Sequence, residues 1–287
     1  MIESKTSHRL PLGEWSIAQD WPQYTARDHS TWKSMYARME AVLKDRVCDD
    51  FFSGLRVLNL PTEQVVQFDV LSKTLAQASS WQYIAVSGFI PTDIFFQLLA
   101  NRRFPSSRFM RDPDGLSYQE LPDIFHDVYG HAPLLMHPVM ADFMQAFGRA
   151  GVAAKTERQQ LMLSRLYWFT VEVGLVAHAR GTRAYGAAIA SSEKETMFSL
   201  HDASPNILKF DHARIMRTPY SMYDLQETYF VIDSLDDLLD LSRDGFACIN
   251  DCDPDLPDIE RGALIASDQI LQRGTGTYHA SLRSVQS

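Results

Sequence analysis

A mostly α-helical single domain with a few short β-strands is the fold class that this sequence predicts, on three observations. Apolar residues recur at helical spacing over most of the chain. Runs of small or β-branched residues are few and short. No internal repeat, low-complexity linker or composition break divides the chain. Its 287 residues, 45% hydrophobic and 22% charged, are enough for one large core.

Taken in order, residues 1–28 are polar, aperiodic and contain Pro and Trp, which predicts an extended arm lying over the body. Helical periodicity begins behind a cap candidate at Ser30 and Thr31 and runs through Trp32, Met35, Met39 and Val42. Further helical stretches are expected over 62–78, 92–103, 120–129, 136–150 and 157–180, with short strands near 183–190 and 229–233. After Gly274 the chain is rich in Gly, Ser and Thr and is expected to fray. The predicted division is an arm (1–28), one large domain (29–274) and a flexible tail (275–287).

Composition narrows the function classes. A net charge of −9 offers no positive field for nucleic acid or an anionic membrane. The one basic cluster, Arg102, Arg103, Arg108 and Arg111, reads as a solvated face, with Arg111 set apart below. Cys48, Cys248 and Cys252 form no zinc pattern and read as reduced thiols of a cytoplasmic protein. The N-terminal MIESKTSHRLPLGEW lacks a signal-peptide apolar region, and no apolar run approaches the roughly 18 residues of a membrane span.

The segment Pro122-Asp-Ile-Phe-His126-Asp-Val-Tyr-Gly-His131 is the richest in chemistry. Residues five apart on a regular α-helix differ by about 140°. His126 and His131 therefore share a metal only if the helix ends or distorts between them, a change that Gly130 permits. Neutral imidazoles suit iron and zinc alike, and the pair alone is equally compatible with two structural histidines. Glu172 shifts the balance. Its helical neighbours Phe169, Trp168, Leu175 and Val176 are all apolar, and no Lys or Arg lies one turn away. A carboxylate on such a stripe needs a partner, because burying an unpaired charge costs several kcal/mol, and a metal ion or a distant Arg would serve. Two His and one carboxylate make the facial triad of non-heme Fe(II) oxygenases, and also a zinc-hydrolase ligand set.

Four blocks, PDIFHDVYGHAPLL, YWFTVEVGL (167–175), RAYGAAIASS (183–192) and GFIPTDIFFQLLANRRFP (88–105), resemble the pterin-dependent aromatic amino acid hydroxylases, bacterial phenylalanine 4-hydroxylases in particular. The resemblance implies a single-domain hydroxylase catalytic fold, Fe(II) on His126, His131 and Glu172, and catalysis within 29–274. It implies a tetrahydropterin, tetrahydrobiopterin or a bacterial analogue, near Gly88, Phe89, Ile90 and Phe95, with Asp127 beside it. Arg111 matches the residue that takes the amino acid's carboxylate, a task for which a guanidinium fork is suited. Pro122, Trp168, Val173 and Ser191 match the substrate pocket, and Asp123 and Tyr167 match residues that steady the ligands. The implied reaction is ring hydroxylation of an aromatic amino acid, phenylalanine to tyrosine first, with O2 activated at iron and two electrons from the pterin. A monomer, or at most a weak dimer, is expected.

The sequence also departs from that family. Val173 stands where Phe is usual, Ala188 and Ala190 where Gly and a larger or hydroxylated residue are usual, and Leu121 where Glu is usual; Met222 sits near another pocket-wall position. These changes leave tryptophan, a substituted phenylalanine or meta attack open as alternatives. A metal-dependent phosphohydrolase, prompted by His126-Asp127, lacks further His and Asp in a comparable setting. A non-catalytic iron or zinc store would need neither the pterin segment nor Arg111.

Overall fold

The computed structural model describes residues 15–88, 90–112, 122–253 and 256–285. Phe89 and Leu121, both named above, lie outside the described residues. Helices dominate, as expected: α1 (Ala26–Leu43), α2 (Asp49–Leu58), α3 (Phe68–Ser79), α4 (Thr92–Ala100), α5 (Ala132–Leu135), α6 (Pro138–Ala153) and α7 (Glu157–Tyr167) build the first half around one core.

Helix α1 starts earlier than the sequence suggested. Thr25, not Ser30 or Thr31, is its cap: the Thr25 hydroxyl accepts the Asp28 amide, and the Asp28 carboxylate accepts the Thr25 amide. Thr31 lies one turn inside and donates back to the Arg27 carbonyl. The cap is locally legible, but the polar run before Trp32 masks it. Only residues 15–25 of the described chain thus form an arm. Arg102 is likewise no solvated residue: it bonds the Ser79 carbonyl, Gln145 and Asp142 and so ties α6 to the end of α3.

Two strands escaped the periodicity. β1 (Gln82–Val86) and β2 (Arg103–Ser107) pair in parallel, Gln82 opposite Arg103 and Val86 opposite Ser107, with α4 as the crossover. The helix expected over 92–103 therefore stops at Ala100. Because the strands are parallel, the chain leaves both at one edge, where parallel sheets place their ligands. The Gly88 loop and the Arg108–Asp112 segment emerge there together.

The helix expected over 157–180 also ends early. After α7 it widens to a π turn (Trp168–Glu172) and gives way to β3 (Leu175–Val176). The strand-like run at 183–190 is β4 (Arg183–Ala184) followed by α8 (Ala187–Ala190), since Ala and Ile also suit helices. Then come α9 (Glu193–His201), β5 (Asn206–Lys209), α10 (His212–Met216), β6 (Thr228–Ile232), α11 (Asp236–Arg243), α12 (Cys248–Asp251), β7 (Ile270–Gln272) and α13 (Thr277–Val285). Strands β4-β3-β6-β5-β7 form one sheet, in which β3, β6 and β5 run parallel.

The segment after Gly274 does not fray over its described part. Tyr278 donates to Asp224, and His279, buried at 7% exposure, bonds the Leu225 carbonyl. Helix α1 thus crosses the limit between 28 and 29, and α13 lies wholly beyond Gly274.

Candidate metal centre

His126 and His131 are brought together by backbone geometry. Residues His126–Gly130 form a π turn, whose bonds run from residue i to i+5. Five residues then nearly complete one turn, so the two histidines share a face. Gly130 is needed for close packing more than for backbone freedom: a Cβ there would lie 2.7 Å from the Ala187 carbonyl oxygen. The turn is anchored at its start by Asp123, whose carboxylate accepts the His126 amide at 3.0 Å.

Glu172 closes the second π turn, in which the Val173 amide bonds the Trp168 carbonyl five residues back. Gly186 lets the β4–α8 strand end approach, since a Cβ there would meet the Glu172 carbonyl oxygen at 2.4 Å. The three side chains converge. His126 Nε2 lies 3.3 Å from His131 Nε2 and 3.5 Å from a Glu172 oxygen, and His131 Nε2 lies 3.3 Å from the other Glu172 oxygen. Among the described residues this is the one group of three such ligands within 4.8 Å.

The arrangement fits a metal ion. Neighbouring ligands about 2.1 Å from an octahedral ion sit about 3 Å apart, close to the spacing here. Burial pulls the His126 imidazole down to about 4, against the pull of the Glu172 carboxylate, so the ring is neutral and able to ligate. Burial raises Glu172, but the His131 charge and hydrogen bond, with His126 and the Tyr167 hydroxyl, outweigh it and hold the carboxyl below its ordinary range. Ligating through Nε2 leaves the His126 proton on Nδ1, 2.8 Å from the Ser191 hydroxyl oxygen, and Ser191 donates in turn to the Ala187 carbonyl.

The remaining expected residues fall into three groups. Asp123, fully buried, takes Arg111 through Nε and Nη2, both at 2.7 Å, as well as the Arg111 amide, so it joins the arginine to the first ligand turn. The Tyr167 hydroxyl faces Glu172 and helps hold its carboxyl below the ordinary range. Ser191, expected in the substrate pocket, accepts from His126 Nδ1. Asp127, expected beside the pterin, is buried, accepts the Ser107 amide and Ser106 hydroxyl, and is pushed up to about 7 by burial. Gly88 is exposed with a φ of 142°, while Ile90 and Phe95 are partly buried. Phe95 meets the Tyr167 ring edge-on at 5.7 Å. Pro122 is exposed, Val173 is 1% exposed, and Met222, at 46%, lies at the surface.

One ring partner of Trp168 was missed. Tyr220 stacks on Trp168 with ring centroids 4.7 Å apart and 12° between planes. It lies in a loop with no periodic neighbours, so no local signal marks it. Ser106 and Ser107, the partners of Asp127, were missed because they end a strand, β2, that the periodicity did not reveal.

Residues 16–249 match the family model of the biopterin-dependent aromatic amino acid hydroxylases. The chain belongs to that family. A Phenylalanine-4-hydroxylase of Ralstonia nicotianae is 47% identical over 262 residues, covering 91% of this chain and 84% of the relative. A crystal structure of Chromobacterium violaceum phenylalanine hydroxylase with bound Fe(III) superposes with a TM-score of 0.87 at 43% identity, covering 90% of this chain and 94% of that one. A second, with iron(III) and 7,8-dihydrobiopterin, gives 0.85 at 40% identity and covers 94% of this chain and all (100%) of that one. This hydroxylase thus has the helical catalytic fold of bacterial phenylalanine hydroxylases, with the His–His–Glu cluster at its centre. No helix among its described residues is long and apolar enough to cross a membrane.

Proposed function

We propose that this hydroxylase converts L-phenylalanine to L-tyrosine, using O2 and a tetrahydropterin at an iron held by His126, His131 and Glu172. The convergence of three donor atoms from two π turns carries the reading. The names of the similar proteins support the substrate, and the second crystal structure supports the cofactor class. When bound, iron and reduced pterin supply the oxygen chemistry.

The protein's own groups bind, orient and exclude water. The three ligands fill one side of the metal and leave the opposite face open. Two N–H groups of Arg111 go to Asp123, and the planar guanidinium has others for the amino acid's carboxylate. The stacked pair Trp168 and Tyr220 gives a flat apolar wall for the substrate ring, with Pro122 and Val173 nearby in sequence to the ligands. Gly88, Phe89, Ile90 and Phe95 are assigned to the pterin, whose flat ring an aromatic face can cover. Asp127 supports that side through Ser106 and Ser107.

A monomer working in the cytoplasm is also proposed; three unpaired cysteines support the reducing compartment. Iron-loaded protein, incubated with each aromatic amino acid, tetrahydropterin and O2, should form tyrosine from phenylalanine, identified by mass spectrometry and NMR. Pterin oxidation that yields no hydroxylated amino acid would remove the hydroxylase reading, and meta-tyrosine or hydroxytryptophan as chief product would replace the substrate assignment.

A further inference from the structure

The arm at residues 15–25 touches both halves of the site. Its first residues extend the edge of β1: Ser16 bridges Val86 in antiparallel fashion, and the Ile17 amide donates to the Ala85 carbonyl at 2.9 Å. This is the point where the chain leaves β1 for Gly88 and Ile90. The middle of the arm is bolted to the loop before α3. Gln19 bonds the Val66 carbonyl and the Phe68 amide, both at 2.8 Å, and the Trp21 indole donates to the Val65 carbonyl at 2.7 Å.

Its end grips the segment that carries Arg111. The Tyr24 hydroxyl donates to the Arg108 carbonyl at 2.6 Å, Arg108 reaches back to the Ala18 carbonyl at 3.2 Å, and Arg27 pairs with Asp112 at 2.9 Å. The opposite side of the same segment is held by the ligand turn: the Ile124 amide donates to the Phe109 carbonyl, and the Arg111 amide and side chain go to Asp123. Residue 108 is thus fastened to the arm, residue 112 to the first turn of α1 that follows it, and residues 109 and 111 to the metal-bearing turn. Arg111 sits in a short span clamped from both faces. The arm joins that span to the base of the Gly88 loop.

We infer that residues 15–27 form a strap that positions Arg111 for the amino acid and links its segment to the loop assigned to the pterin, with Tyr24 as the main positioning residue. The inference rests on the reading of Arg111 as the carboxylate clamp. The Arg27–Asp112 pair is solvent-exposed on both sides, so it contributes little by itself. The Tyr24 bond is short, comes from a partly buried ring and fixes the backbone at the start of the span.

The test is steady-state kinetics of the iron-loaded, full-length chain with phenylalanine and tetrahydropterin as separately varied substrates. Tyr24→Phe removes one hydrogen bond and keeps the ring. It should raise KM for phenylalanine about fivefold, leave kcat within twofold and leave iron content unchanged. Arg111→Lys should raise the same KM by more. In the double variant Tyr24→Phe should add little, because its effect passes through an arginine already lost. Simple loss of packing would instead lower the melting temperature and act additively. If Arg111→Lys raises KM and Tyr24→Phe does not, or if the two effects add in full, the strap has no positioning role. If Arg111→Lys itself leaves KM unchanged, the carboxylate assignment fails first and the strap inference falls with it.

Discussion

Ser191→Ala isolates what a single buried hydroxyl does for the metal. Ser191 is 4% exposed, and its oxygen lies 2.8 Å from His126 Nδ1. With Nε2 given to the metal, Nδ1–H must donate, and Ser191 is the acceptor placed to receive it. Alanine leaves that N–H without a partner beside a ring whose side chain is only 15% exposed. An unsatisfied buried donor costs about 1–3 kcal/mol. Once the metal holds Nε2, the ring cannot turn to find Nδ1–H another partner, so that cost falls mainly on the bound state. At about 1.4 kcal/mol per tenfold, metal affinity should drop by one to two powers of ten, the range seen when partners of ligating histidines are removed. Competition with a chromophoric chelator measures the iron Kd, and thermal melting of metal-free protein measures any separate structural loss. An iron Kd within twofold of the parent would refute the hydrogen-bond argument. So would a drop in metal-free melting temperature that accounts for all of the lost affinity.

Three further outcomes are expected. His131→Ala should abolish iron retention and turnover while the helical circular dichroism persists, and full iron content in that variant would break the triad assignment. Val173→Phe puts a ring into a position that is 1% exposed, so about 1–3 kcal/mol of stability should be lost unless pocket space receives it. In the latter case kcat/KM for tryptophan should fall more than for phenylalanine, and an equal response of both substrates would make Val173 ordinary packing. The third concerns pH. Burial lifts the Glu195 carboxyl to about 7, against the Tyr229 hydroxyl that donates to it. A carboxyl raised above its ordinary value of 4.5 binds its proton more tightly folded than unfolded, so its stabilisation is full below that value and is lost as pH rises through about 7. Glu195→Gln should flatten the melting temperature between pH 5 and 8; an unchanged slope would show that Glu195 is not the titrating group.

The sequence alone determined the chemistry-bearing residues and the helical class. His126, His131 and Glu172 announce themselves because a carboxylate on an apolar stripe needs a partner and because the blocks around them are specific in order and spacing. Helix α6 was legible within a few residues, and so was the start of α7, for the same kind of reason: their apolar faces repeat at helical spacing. What the sequence could not reveal depends on atoms far apart along the chain. The five-residue spacing posed a geometric conflict that the π turn resolves, and the turn is held in place by Asp123 and by the close approach of Ala187 at Gly130. Strands β1 and β2 are five residues each, and their sequences QYIAV and RFPSS do not alternate apolar with polar residues, so they lack the pattern that marks a half-exposed strand. The Ser191 hydroxyl, the Tyr220 ring and the Tyr24 bond to Arg108 are contacts between distant segments, for which one-dimensional periodicity carries no signal. Local pattern thus chose which residues would do the chemistry, and long-range packing decided which atoms of those residues meet.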